Sequence, residues 1–161
     1  MYVPFSDLPD SARIWIYQSN RPLTEAEVAA VEPALHHFAD EWTSHGRNLQ
    51  ASAEILHRQF LIIGLDEAVA DASGCSIDAS VRFVRSVEEA LGVSLLEKSR
   101  MAFLVDGQVQ LLDRRELKTA VAEGRLLSST PYFDATVARK DELQKSFPAA
   151  ANQTWLSRYF N

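Results

Sequence analysis

The segment Gln50–Asp66, QASAEILHRQFLIIGLD, decides how this chain folds. Its second half, QFLIIGLD, holds an unbroken apolar run, the pattern of a central strand buried on both faces. Its first half, QASAEILH, ends just before Arg58, so the two halves read as a β-hairpin. Upstream, RIWIYQ (Arg13–Gln18) is aromatic and β-branched and runs into SNRP, a strand followed by a loop. Thr24 and Glu27 then form a capping box, each side chain placed to bond the other residue's backbone N–H. Val28, Val31, Leu35, Phe38 and Trp42 follow at spacings of three and four, one apolar helix face. Pro33 inside that pattern predicts a kink or a restart. Gly46, after His45, reads as the helix C-cap.

Downstream of the hairpin, Asp66 to Gly74 reads as a loop of polar and small residues. From about Ser76, the residues Ile77, Val81, Val84, Val87 and Leu91 mark a second helical face that Gly92 ends. MAFLVDGQVQLL (Met101–Leu112) is a second hairpin, because Asp106 and Gly107 both accept φ > 0 and match strand twist. Asp113 and Glu116 open a short helix closed by Gly124. YFDATV reads as extended, RKDELQKSF as a short helix and TWLSRYF as a terminal aromatic helix.

The resulting order is β-α-β-β-α-β-β-α plus a tail. Its first six elements match the ferredoxin-like split β-α-β plan, a sheet covered on one face by two helices. The expectation is an α+β fold of that plan, with an added C-terminal hairpin strand, a short helix and an aromatic tail. No repeat or linker divides the chain, which reads as a single domain over residues 1–161.

Composition narrows the function. The chain has 161 residues, 47% hydrophobic and 24% charged, an ordinary globular mixture. A net charge of −6 argues against nucleic acid, whose phosphates need clustered Lys and Arg. No apolar run approaches the ~20 residues that span a bilayer, and MYVPFSDLPD lacks the features of a signal peptide. One cysteine allows no internal disulfide, and the expected compartment is the cytoplasm. The glycines, Gly46, Gly64, Gly74, Gly92, Gly107 and Gly124, are too widely spaced for a P-loop or a dinucleotide fingerprint, so no cofactor is expected.

On the ferredoxin-like plan the first helix ends at the edge of the sheet where the second begins. Trp42, His45 and Gly46 then approach the loop from Asp66 to Ser76 and the Asp106-Gly107 turn. The expected ligand-binding set is Trp42, His45, Asp66, Glu67, Ser73, Gly74, Cys75, Ser76 and Asp78. A helix N-terminus there offers partial positive charge and unpaired amides to an anion or a thiolate. Cys75 as nucleophile with His45 as base is one chemistry the cluster allows. Cys75 as a small residue beside a cap formed by Ser76 or Asp78 is the other, and Asp66 and Glu67 oppose a thiolate. His36, His37, Asp40 and Glu41 read as a solvated helix face and no metal is expected. His57 lies in a hairpin turn. Trp155, Leu156, Tyr159 and Phe160 form i,i+4 pairs that dock on a core or, with the uncovered sheet face, drive homodimerisation.

The strings MYVPFSDLPDSARIWIYQSNRPL, HGRNLQAS, GLDEAVADASGCSIDASV and TWLSRYF together resemble a family of small, uncharacterised Bacteroidetes proteins. Its members often carry the label "ABC transporter ATPase". The resemblance spans nearly the whole chain, with SGCSID its most recognisable string, and implies no catalytic residues. No Walker A lysine in a glycine loop and no LSGGQ-type signature stands in this chain. The leading expectation is a non-enzymatic cytoplasmic domain that binds a small anion or a protein partner, as a homodimer, at the edge where the first helix ends and the second begins. The alternatives are a thiol-dependent enzyme and a transporter-associated protein without nucleotide motifs.

Overall fold

A computed structural model describes all 161 residues, Met1–Asn161. An extended leader with one 3-10 turn (Phe5–Asp7) precedes strand β1 (Arg13–Gln18) and helix α1 (Glu25–Glu41). Two short strands, β2 (Thr43–Ser44) and β3 (Arg47–Asn48), lead into β4 (Ala51–Leu56), β5 (Phe60–Leu65) and helix α2 (Gly74–Leu91). Then come β6 (Arg100–Val105), β7 (Gln108–Asp113), α3 (Leu117–Ala122), β8 (Pro131–Phe133), α4 (Lys140–Ser146) and β9 (Ala149–Ala150). A last 3-10 helix spans Trp155–Phe160. The class is α+β with antiparallel sheets.

The chain forms two compact units. The first comprises Met1–Leu96 with Ala138–Asp141, the second Glu97–Val137 with Glu142–Asn161. The sheet of the first unit has the order β1-β5-β4. All six residues of β5 are buried, as its unbroken apolar run requires. Trp15 and Ala53 both pair with Ile63, which fixes the register from both sides. On this face Tyr17, Leu61, Ile63 and Leu65 join Val31, Leu35 and Ala39 of α1 and Val84 and Val87 of α2 in one core.

Three expectations need correction here. The opposite sheet face is not uncovered: Phe60 and Ile62 are fully buried on it. Leu8 and Phe5 of the leader cover it at Gly64, where an added Cβ would lie 2.6 Å from Leu8 Cδ1. One of the two surfaces named for a homodimer, this sheet face, is therefore not free. The strand expected fourth in this sheet, β6, pairs instead with β7 and β8 in the second sheet, whose order is β7-β6-β8-β9. The outer edge of β1 is occupied by the segment before α4, with the Ile14 amide donating to the Ala138 carbonyl at 2.9 Å. Finally, of the kink or restart expected at Pro33, the restart does not occur, and α1 runs through it as one helix. Proline removes the bond to the carbonyl four residues back, that of Ala29, and both residues lie on the exposed side of the helix.

The capping box of Thr24 and Glu27 forms as expected. Arg21 adds a fork: its Nη1 and Nη2 donate to Glu27 Oε1 and Oε2 at 2.9 and 2.8 Å, and Nη2 also donates to the Leu91 carbonyl at 2.9 Å. One guanidinium thus joins the start of α1 to the end of α2. The Arg21 guanidinium, seconded by the Thr24 amide, holds the Glu27 carboxyl at about 2, well below its ordinary 4.5. A folded-state pKa below the unfolded one contributes stability above pH 4.5 that is lost as pH falls towards 2. Urea midpoints of wild type and Glu27→Gln should therefore differ most at neutral pH and converge through that acid window. A difference that does not change with pH would overturn the assignment.

In the second unit the β6–β7 hairpin turns at Asp106 (φ 52°) and Gly107 (φ 76°), as the sequence predicts. Met101, Phe103, Leu117, Leu126, Tyr132 and Leu156 form its core. Leu156 is fully buried, so the terminal aromatic helix docks on that core. Burial, with the charge of Asp134 adding to it, pushes the Tyr132 hydroxyl up to about 12.

Candidate functional site

The site forms where α1 stops. Glu41 is the last helical residue, and Trp42 turns the chain into extended backbone. Gly46 does not cap the helix. With His45 (φ 51°) it makes the left-handed turn (Gly46 φ 75°) of the β2–β3 hairpin, in which Ser44 pairs with Arg47. Two-residue strands suffice because Trp42, only 3% exposed, anchors the hairpin's base in the core. Its ring meets Trp15 edge-on at 5.8 Å and Phe38 at 5.2 Å. Its Nε1 donates to the Ser76 carbonyl at 2.9 Å, joining the end of α1 to the first turn of α2.

That first turn begins earlier than the apolar pattern implies. Ser73 is the N-cap, accepting from the Ser76 amide at 3.1 Å, while Ser76 Oγ accepts from the Ser73 amide at 3.2 Å. The cap is therefore Ser73, not Ser76 or Asp78. Ser76 Oγ also donates to the Thr43 carbonyl at 2.9 Å, so the Ser73 hydroxyl donates to Ser76 across their 2.7 Å contact. This arrangement satisfies the hydroxyls of half-buried Ser73 and buried Ser76 and stitches the hairpin to the helix. The amides of Gly74 and Cys75 find no acceptor in the chain and point out of the helix start.

Between these elements lies an open cavity of about 500 Å³. Phe38, Trp42 and Phe83 wall it, with Ala34 and Ala79 leaving the space between the helices. The Phe38 and Phe83 rings stack at 4.4 Å. His37, Glu41, Thr43, His45, Ser73 and Cys75 form the rim. Apolar walls beside a helix N-terminus with two unpaired amides suit a ligand with an apolar body and an anionic head.

Of the residues singled out in the sequence, Trp42, His45, Ser73, Cys75 and Ser76 all line this cavity. Gly74 is the first helical residue, between two lining ones. Asp66, Glu67 and Asp78 are not brought in. Asp66 Oδ1 accepts from the Ala68 amide at 3.0 Å, Glu67 lies 3.7 Å from Arg13, and Asp78 is exposed. The Asp106-Gly107 turn belongs to the second unit. Cys75 and His45 are both exposed, and no hydrogen bond joins them. His36 faces Glu32 at 3.7 Å, while Asp40, its expected neighbour, accepts from the Tyr2 amide at 3.2 Å. His57 is exposed in its turn.

Ala34, His37, Glu41, Thr43, Ala79 and Phe83 line the cavity although the sequence does not mark them as site residues, and Phe38, expected only in the core stripe, lines it too. For Phe38 and Phe83 the signal is an aromatic at the border of each apolar stripe, half-buried and so able to face both core and cavity. No family model, curated protein or solved structure matches this chain.

Proposed function

We propose that the first unit binds a small organic anion with an apolar body in the cavity between the end of α1 and the start of α2. The observation that carries this reading is the meeting of the Phe38, Trp42 and Phe83 walls with the unpaired Gly74 and Cys75 amides. The walls would take the apolar body and the amides the charge. A cavity of about 500 Å³ lies in the range of small-molecule sites. A macromolecular partner is less well supported, because the exposed large apolar residues, Met1, Val69 and Leu127, are few and scattered in sequence. The β1-α1-β4-β5-α2 layout supports reading this unit as the opening five elements of a ferredoxin-like plan. A cytoplasmic setting belongs to the proposal. No helix of the chain is long and apolar enough to cross a membrane.

One observation favours a second reading, a thiol-dependent enzyme: Cys75 and His45 line the same cavity. A base must reach its nucleophile within hydrogen-bond distance, and that contact is not made in this conformation.

Anilinonaphthalene sulfonate, an aromatic body with an anionic head, is a suitable probe of the proposed site. The full chain should bind it saturably, and bound probe should slow iodoacetamide modification of Cys75. Ala79→Phe, which fills the cavity from a half-buried position, should abolish both effects with little change in melting temperature. Probe binding that survives Ala79→Phe and leaves Cys75 unprotected would sink the proposal.

A further inference from the structure

The second sheet ends in an edge that no strand of the chain pairs with. Its order is β7-β6-β8-β9, so β7 (Gln108–Asp113) bonds to β6 on one side only. The edges of the first sheet are at least partly taken: Arg139 bridges β1 at Arg13, and Tyr2 bridges β4 at Ala51. The two-residue turn at Asp106-Gly107 makes Val105 and Gln108 a hydrogen-bonded pair. The Arg114 amide, donating to the Ser99 carbonyl at 3.0 Å, continues that alternation. Gln108, Gln110 and Leu112 therefore bond inward, while the amides and carbonyls of Val109 and Leu111 point outward without partners.

Exposed edges are commonly blunted by lysine, proline or a bulge. β7 has none of these: its sequence is QVQLLD, and its register on β6 is one to one. Its one charged residue, Asp113, turns back to its own chain, accepting from Arg115 Nε and Nη2 at 3.1 Å. The sheet face towards α3 is also incompletely covered beside this edge. A groove of about 450 Å³ lies there, lined by Phe103, Val105, Leu112, Ala120 and Leu126, with exposed Gln110 among them.

We propose that β7 pairs antiparallel with β7 of a second copy of this chain, about a two-fold axis between facing Gln110 residues. Outward groups must meet outward groups, which leaves few registers. Centred on Gln110, Val109 of each copy exchanges hydrogen bonds with Leu111 of the other, and the outward groups of both residues are satisfied. The two Gln110 side chains lie directly opposite and can bond amide to amide. The same register brings Asp106 of one copy level with Arg114 of the other. Neither has an ion pair in its own chain: Asp106 is exposed, and the Arg114 guanidinium rests over the Trp155 ring at 5.9 Å. An axis at Leu111 would instead set Asp106 against Glu116, and one at Val109 would set it against Leu112. Charge complementarity thus favours a second copy and selects its register. Leu112 of that copy then follows Val105 and Gln108 across the sheet, on the groove side. Edge pairing works through backbone groups, so it needs no large exposed apolar patch.

Sedimentation equilibrium of the full chain at low ionic strength should show dimers forming as concentration rises to about 1 mM, the range of a small interface. Gln110→Lys and Gln110→Glu, at an exposed position, each place like charges face to face across the axis. Each variant should associate about fivefold or more weakly than wild type. An equimolar mixture of the two should regain the lost association, because opposite charges then face each other. Variants that associate as wild type does, or a mixture no tighter than its components, would overturn the proposal. Monomer at every concentration would do so too, and would leave the edge to an extended segment of a different protein.

Discussion

Replacing Trp42 by alanine is expected to cost about 3–5 kcal/mol of unfolding free energy, the range for truncating a buried Trp or Phe, and to abolish anilinonaphthalene sulfonate binding. The side chain is 3% exposed and touches Trp15 and Phe38. Its removal opens a void between α1 and α2 that neither helix can close without losing its register on the sheet. It also removes the hydrogen bond to the Ser76 carbonyl, worth about 1 kcal/mol net. With that tie gone, the β2–β3 hairpin loses its buried base, and the wall and rim of the cavity move together. Trp42→Phe keeps most of the ring contact and loses the donor, so it should cost about half as much. Guanidinium unfolding followed by circular dichroism gives both values. A loss below about 1 kcal/mol for Trp42→Ala, no more than an average substitution costs, would mean that Trp42 does not hold the helices together.

Gly64→Val should destabilise the first unit by about 1–3 kcal/mol, the usual cost of overpacking a filled core, although valine is the better strand former. The reason lies across the sheet face, where an added Cβ would sit 2.6 Å from Leu8 Cδ1 and 3.3 Å from Phe5 Cε2. Leu8 is itself 4% exposed, so it has little room to move aside. The leader is therefore expected to lift. Leu8→Ala vacates the space, and the double variant Gly64→Val, Leu8→Ala should be more stable than the sum of the single losses predicts. A coupling of about 1 kcal/mol or more is expected for residues in contact. Simple additivity would show that the leader does not pack on Gly64.

The features legible in the sequence were those set by near neighbours. Asp106-Gly107, Thr24 with Glu27, and Gly92 each act within about one turn of chain, where residue type alone dictates backbone shape. His45-Gly46 was misread because a left-handed glycine after an apolar helix stripe ends a helix or turns a hairpin equally well, and strands of two residues carry no alternation. Ser73 was passed over because Ser76 and Asp78 can cap too. The choice falls to Ser73 because it leaves the Ser76 hydroxyl free to reach the Thr43 carbonyl, a contact remote in sequence. The division of strands between two sheets was not legible for the same reason, since the edge of β1 is taken by residues more than a hundred positions away. Five of the nine expected binding residues line the cavity, those whose placement follows from the end of α1 meeting the start of α2. Asp66 and Glu67 were included for their charge, and local partners, the Ala68 amide and Arg13, claim them.

The contribution of Ala138–Asp141 to the first unit bears on how the chain is made. A ribosome releases the leader first, yet two of the leader's carbonyls, those of Leu8 and Ser6, await the Lys140 ammonium. The Ala12 carbonyl likewise awaits the Lys140 amide, and the Asp10 carbonyl that of Asp141. Until residue 141 emerges, the amino-terminal arm can pair through Met1 and Val3 with Ala51, but these four carbonyls of its second half lack their partners. The stretch Glu97–Val137 is therefore synthesised before the first unit has its last four residues, and completion of that unit is deferred until they emerge.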